Sequence, residues 1–88
     1  MNAYLEVTFR KGKPLAAYLY LPRREGDRSA RTQRFEHGIL VDYAPDGRPI
    51  GLELTSPKAF SLEQLNNVLA RIDQPPMQID DLRPLIAA

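Results

Sequence analysis

A chain of 88 residues makes one domain, and a domain of that size buries only about 60–65% of its unfolded surface. It has no cysteine and one histidine, which excludes disulfides, thiolate metal sites and multi-histidine metal centres. A formal charge of +1 and 43% hydrophobic residues fit an ordinary globular chain, so dimerisation or tight packing is expected to supply the stability that size does not.

Tyr4 to Phe9 alternates, with Leu5, Val7 and Phe9 on one face and Tyr4, Glu6 and Thr8 on the other, which predicts a half-buried strand. Lys11-Gly12-Lys13-Pro14 supplies a turn. Leu15 to Leu21 is the next strand, with Leu15, Ala17, Leu19 and Leu21 inward and Ala16, Tyr18 and Tyr20 outward. Pro22 ends it because proline cannot donate to a ladder. Arg23 to Ser29 is charged around Gly26 and reads as a loop. Ala30 to Glu36 is a weaker polar strand suited to an edge or to solvent on both faces, where arginines discourage aggregation.

His37-Gly38 turns the chain into a strand over Ile39 to Tyr43, and Ile50 to Thr55 returns antiparallel. A three-residue loop (Pro45 to Gly47) would set Val41 against Gly51 and Ile39 against Glu53. A four-residue loop starting at Ala44 sets Val41 against Ile50 and Ile39 against Leu52. The apolar match favours the longer loop. Gly47 is the left-handed position, where another residue costs about 1 kcal/mol.

A helix is predicted from Ser61 to Ile72. Ser61 and Gln64 form a capping box, and Glu63 suits the helix dipole. Leu62, Leu65, Val68, Leu69 and Ile72 make an apolar stripe that needs a partner. The sheet face carrying Ile39, Val41, Ile50, Leu52 and Leu54 is that partner. Pro75-Pro76 stops the helix. The tail from Met77 to Ala88 is too apolar to be free. It docks on its own domain or on a neighbour.

The hairpin Gly38-x-Leu40-Val41-Asp42-Tyr43-x-x-Asp46-Gly47-x-x-x-Gly51-x-Glu53-Leu54 resembles the signature of a group of short bacterial proteins of unknown function. That signature reads G-x-x-V-D-Y-D-x-D-G-x-x-V-G-I-E-I. An upstream A-L-Y-I-x-L strand in that group resembles Ala16 to Leu21. The likeness covers residues 5 to 57. It departs at Leu15, where an acid is usual, in the longer and more basic 23–29 loop, and from Phe60 onward. The resemblance implies a small antiparallel sheet with a helix, dimeric and without an established activity. It also suggests the partner of a small toxin-like ribonuclease.

Few residues offer chemistry. In the preferred register Asp42 and Glu53 are four residues apart along the strands, about 13 Å at ~3.4 Å per residue. Catalytic carboxylate pairs lie roughly 5–9.5 Å apart, so both acids are given structural roles, Asp42 in a turn or cross-strand bond and Glu53 against a neighbouring arginine. His37 stands beside Glu36 with nothing to orient it, and Ser29, Thr32, Ser56 and Ser61 lie in no nucleophile motif. No phosphate-binding glycine loop occurs. Eight bases against two acids fill Arg10 to Arg34, whereas four bases and eight acids follow from Phe35. Arg23, Arg24, Arg28, Arg31 and Arg34 are therefore candidate nucleic-acid contacts. Tyr4, Tyr18 and Tyr20 share the outer face, as a dimer interface, a base-stacking platform or cross-strand packing.

The expected fold is α+β. Four or five antiparallel strands form a meander, with one C-terminal helix on one face, in a domain over 1–76 and a docked or partner-binding tail over 77–88. The expected function is that of a cytoplasmic, non-enzymatic, homodimeric protein-interaction module, antitoxin-like towards a ribonuclease, with no cofactor or metal. A nucleic-acid-binding regulator is the alternative. With no apolar run long enough for a membrane span and no signal pattern, no membrane role is expected.

Overall fold

The computed structural model describes residues 3–55 and 61–83. Within them lie strands β1 (Tyr4–Arg10), β2 (Lys13–Tyr20), β3 (Arg31–Arg34), β4 (Ile39–Tyr43) and β5 (Pro49–Leu54), followed by helix α1 (Leu62–Arg71). Single 3-10 turns occupy Glu36–Gly38 and Ile79–Leu82. The fold is α+β, a five-stranded antiparallel sheet covered on one face by the helix.

The strand order is β1-β2-β5-β4-β3, not the consecutive order of a meander. All four residues of β3 are exposed, so it cannot fill the middle of the sheet. β5, with Ile50, Gly51, Leu52 and Leu54 buried, takes the central place beside β2. The loop after β2 therefore carries the chain to the far edge, and β3, β4 and β5 fold back inward.

The β4–β5 register also differs from the expected one. Val41 pairs with Leu52 and Ile39 with Leu54. The apolar criterion has a period of two, so it accepts this pairing as readily as one shifted by two residues. The turn decides. Gly47 N–H donates to Ala44 C=O at 2.9 Å, and Ala44 N–H donates to Arg48 C=O at 2.8 Å. Pro45 sits where a type I turn favours proline, and Gly47 follows at φ 92°. Tyr43 pairs with Pro49 and Asp42 with Gly51, which leaves Ile50 as an extra residue in a bulge.

A second bulge lies in the β1–β2 hairpin, where Thr8 pairs with Ala16 and Phe9 with Pro14. Leu15 is the extra residue and is 54% exposed, not inward as alternation alone predicts. Ala17, Leu19 and Leu21 are buried as expected.

The core joins Leu19, Ile39, Val41, Leu52 and Leu54 of the sheet to Leu65, Val68, Leu69 and Ile72 of the helix. Ser61 caps α1 with the full capping box to Gln64. The helix ends before the prolines. Asp73 N–H donates to Ala70 C=O and Gln74 N–H to Leu69 C=O, a Schellman turn with Asp73 left-handed at φ 60°. Met77 and Leu82 are buried in the same core, so the segment up to Arg83 docks on its own chain. Leu85 and Ile86 lie outside the described residues.

Candidate functional site

The outer face of the sheet holds a closed polar network. Tyr18 projects from β2, and its ring passes over Gly51 of β5 to reach β4. Its hydroxyl donates to Asp42 Oδ2 at 2.7 Å, and Thr32 Oγ1 of β3 donates to Asp42 Oδ1 at 2.6 Å. Arg23 folds back from its loop. Its Nη2 donates to Tyr18 Oη at 3.3 Å, and its Nε donates to the carbonyl of bulged Ile50 at 3.2 Å. Burial, and then the bond to Asp42 and its charge, push the Tyr18 phenol well above its ordinary range, while Arg23 pulls weakly the other way. Tyr18 is thus held as a neutral donor. Both Asp42 oxygens already accept hydroxyl protons.

The register corrects the distance expected between the acids. Asp42 faces Gly51, only two residues from Glu53, which makes them diagonal neighbours at about 7–8 Å and not 13 Å. Separation therefore does not disqualify this pair. What argues against it is that both Asp42 oxygens are engaged by Tyr18 and Thr32, while the exposed Glu53 carboxylate has no hydrogen bond among the described residues to position it.

The three candidate tyrosines come together as cross-strand packing. Tyr4 and Tyr20 face each other across β1 and β2 with stacked rings 4.6 Å apart, and Tyr18 lies 4.7 Å from Tyr20. The candidate arginines do not converge. The Arg23 guanidinium lies 5.1 Å from the Tyr20 ring centre on the outer face. Arg31 lies 4.2 Å from the ring centre of Tyr43, a core residue of the opposite face. Arg34 pairs with Leu40 at the far edge. Arg24 and Arg28 are exposed in the loop, beside Asp27.

That loop is tied down. Arg48 bonds Asp27 at 2.7 Å and Asp46 at 2.7 Å, and Arg24 N–H donates to Asp27 at 2.8 Å. The Arg48 bond and then a backbone bond hold both carboxyls below the usual carboxylate range, and those carboxylates push the guanidinium up in turn.

His37 takes φ 61° and lines an open groove of about 540 Å³ with Glu36, Gln64, Asn67 and Arg71. The groove places an acid beside the histidine, but Arg71 bonds both oxygens of Glu36 at 2.9 Å and lowers its pKa. No hydrogen bond orients His37 among the described residues. Thr32 and Ser61 are occupied by Asp42 and by the helix cap, Ser29 is exposed in its loop, and Ser56 lies outside the described residues. A second cavity, of about 350 Å³, is walled by Leu19, Leu21, Leu69, Pro75 and Met77. Its carboxylate, Asp81, accepts from Gln78 N–H at 2.9 Å.

Among the described residues no cluster of three metal-ligating side chains occurs, and no helix is long and apolar enough to cross a membrane. No family, no curated protein and no solved structure matches the chain. Sequence reasoning gave Asp42 a cross-strand bond, which it makes, but missed Tyr18 and Thr32 as its partners and missed the Arg48 clamp. The signal for the first was present in Gly51, since a glycine inside a strand marks the close approach of another group.

Proposed function

We propose that the chain is a non-enzymatic protein-interaction module of the cytoplasm. It acts as a homodimer and, on the likeness of its hairpin, as the antitoxin-like partner of a small toxin-like ribonuclease. One contrast carries this reading. The side chains of Tyr18, Asp42, Thr32 and Arg23 on the outer face bond to one another, while Tyr4, Phe9, Leu15 and Ile79 stand about half exposed. Phe9 and Leu15 lie together at the β1–β2 bulge, and large apolar side chains exposed side by side mark contact surfaces. Exposed Glu53, Glu63 and Asp73 have no ion-pair partner among the described residues and complement a basic ribonuclease. The test is to titrate the purified chain against small toxin-like bacterial ribonucleases and follow RNA cleavage. Inhibition that saturates at a fixed stoichiometry is expected. Unchanged cleavage with the chain in excess would sink the reading.

The nucleic-acid alternative rests on exposed Arg24, Arg28 and Arg34, which have no carboxylate partner among the described residues. Binding of that kind must weaken steeply between ~50 and 200 mM salt as counterions are released. Binding indifferent to salt would count against it.

A further inference from the structure

The two edges of the sheet are unlike. β3 is four residues long, wholly exposed, and carries Arg31 and Arg34, a short charged edge of the kind that resists pairing. β1 is seven residues long and contains neither lysine nor proline. Among the described residues no strand pairs with its outer side, which presents backbone N–H and C=O groups to any strand that can match it. The core also stops short there, because Leu5 and Val7 are only half-buried, and Tyr4 and Phe9 are 50% and 48% exposed.

We infer that β1 pairs antiparallel with β1 of a second copy, joining two sheets edge to edge. This rests on the homodimer reading and names its surface. The occupant is argued from the strand's own charges. Opposite residues in an antiparallel pair share a face. A two-fold axis through Thr8 therefore sets Glu6 against Arg10 of the second copy, and Arg10 against its Glu6, on the outer face. On the core face the same axis sets Val7 against Phe9 twice. An axis through Glu6 would oppose two carboxylates. An axis through Val7 would oppose Glu6 to Thr8 and Arg10 to Tyr4, leaving both charges unpaired. The bulge does not interfere, since its extra residue, Leu15, lies on β2 and the alternation of β1 is unbroken. The joined sheet has both helices on one side and ends in the arginine-bearing β3 at each edge.

A charge-swap cycle tests this by sedimentation equilibrium of the full chain, with circular dichroism to show that each variant is folded. The wild type is expected to dimerise. Glu6→Arg or Arg10→Glu alone sets like charges opposite each other twice and is expected to raise the dissociation constant about tenfold. The double variant restores opposite charges and is expected to return within about threefold of the wild type. If the wild type dimerises but ignores the single swaps, the β1 edge is overturned and the homodimer stands. If the single swaps weaken the dimer and the double does not restore it, the Thr8 axis is overturned. A monomer at concentrations up to about 1 mM overturns both the edge and the homodimer.

Discussion

Gly51 is small because Tyr18 needs the space above it. A Cβ at this position would overlap the Tyr18 ring, and Gly51 has no positive φ that would itself demand glycine. Gly51→Ala must therefore push the phenol off Asp42. Overpacking together with the lost bond is expected to cost about 2 kcal/mol in urea unfolding. In a Tyr18→Ala background the ring atoms nearest to that Cβ are gone, so the two changes are expected to couple by about 1–3 kcal/mol. Purely additive costs would show that the ring does not cross Gly51 in solution. Tyr18→Phe keeps the ring and loses the hydroxyl, at about 1 kcal/mol. The alkaline limit follows from the same contact. The folded phenol titrates above the unfolded one, so its contribution is complete below the unfolded value of about 10 and is lost as pH rises beyond it. In an ultraviolet titration one of the four tyrosines is expected to ionise last, and Tyr18→Phe should remove that step.

At the scale of elements, alternation and capping were legible, and order and register were not. The inward positions Ala17 and Leu19 of β2 and the Ser61–Gln64 box are local patterns, so they read directly from the chain, whereas the bulge that turns Leu15 outward does not. The β4–β5 register failed by two residues because Ile39 and Val41 find apolar partners in either alignment, and only the Gly47 turn with its bulge separates the two. The polar β3 already announced an edge, which a consecutive meander cannot give it. The loop between β2 and β3 read as a basic surface because the partner of Asp27, one of its two acids, is an arginine 21 residues away. That clamp makes a pH prediction. Asp27 and Asp46 titrate lower in the fold than out of it, so their contribution is complete above the ordinary carboxylate range and is lost as pH falls through the lowered values. The urea midpoint is expected to drop on acidification below about pH 4, and Arg48→Met is expected to flatten that limb. An unchanged acid limb in Arg48→Met would show that the loop is not held by this clamp.

For the whole molecule the decisive question is where the domain ends. A division after residue 76 treats the remaining segment as an appendage, yet Met77 and Leu82 lie in the same core as Leu65 and Leu69. The side chain of Asn66 fixes the joint twice. Its amide nitrogen donates to Met77 C=O at 3.1 Å, and its carbonyl oxygen accepts from Met77 N–H at 2.8 Å. Emptying two buried sites of this size costs about 2–5 kcal/mol each, against a total stability of about 5–15 kcal/mol for a small domain. Deleting 77–88 is therefore expected to abolish the cooperative thermal transition or to lower its midpoint by more than about 10 °C. Asn66→Ala, which removes the two bonds and leaves both apolar side chains, is expected to remain folded and to lose about 1–3 kcal/mol. A truncated chain that melts within a few degrees of the full one would show that the segment is dispensable to the fold and free to meet a partner. With Met77 and Leu82 already buried in cis, a second copy is instead expected to meet residues that the core leaves exposed, foremost the edge of β1, which no strand covers among the described residues.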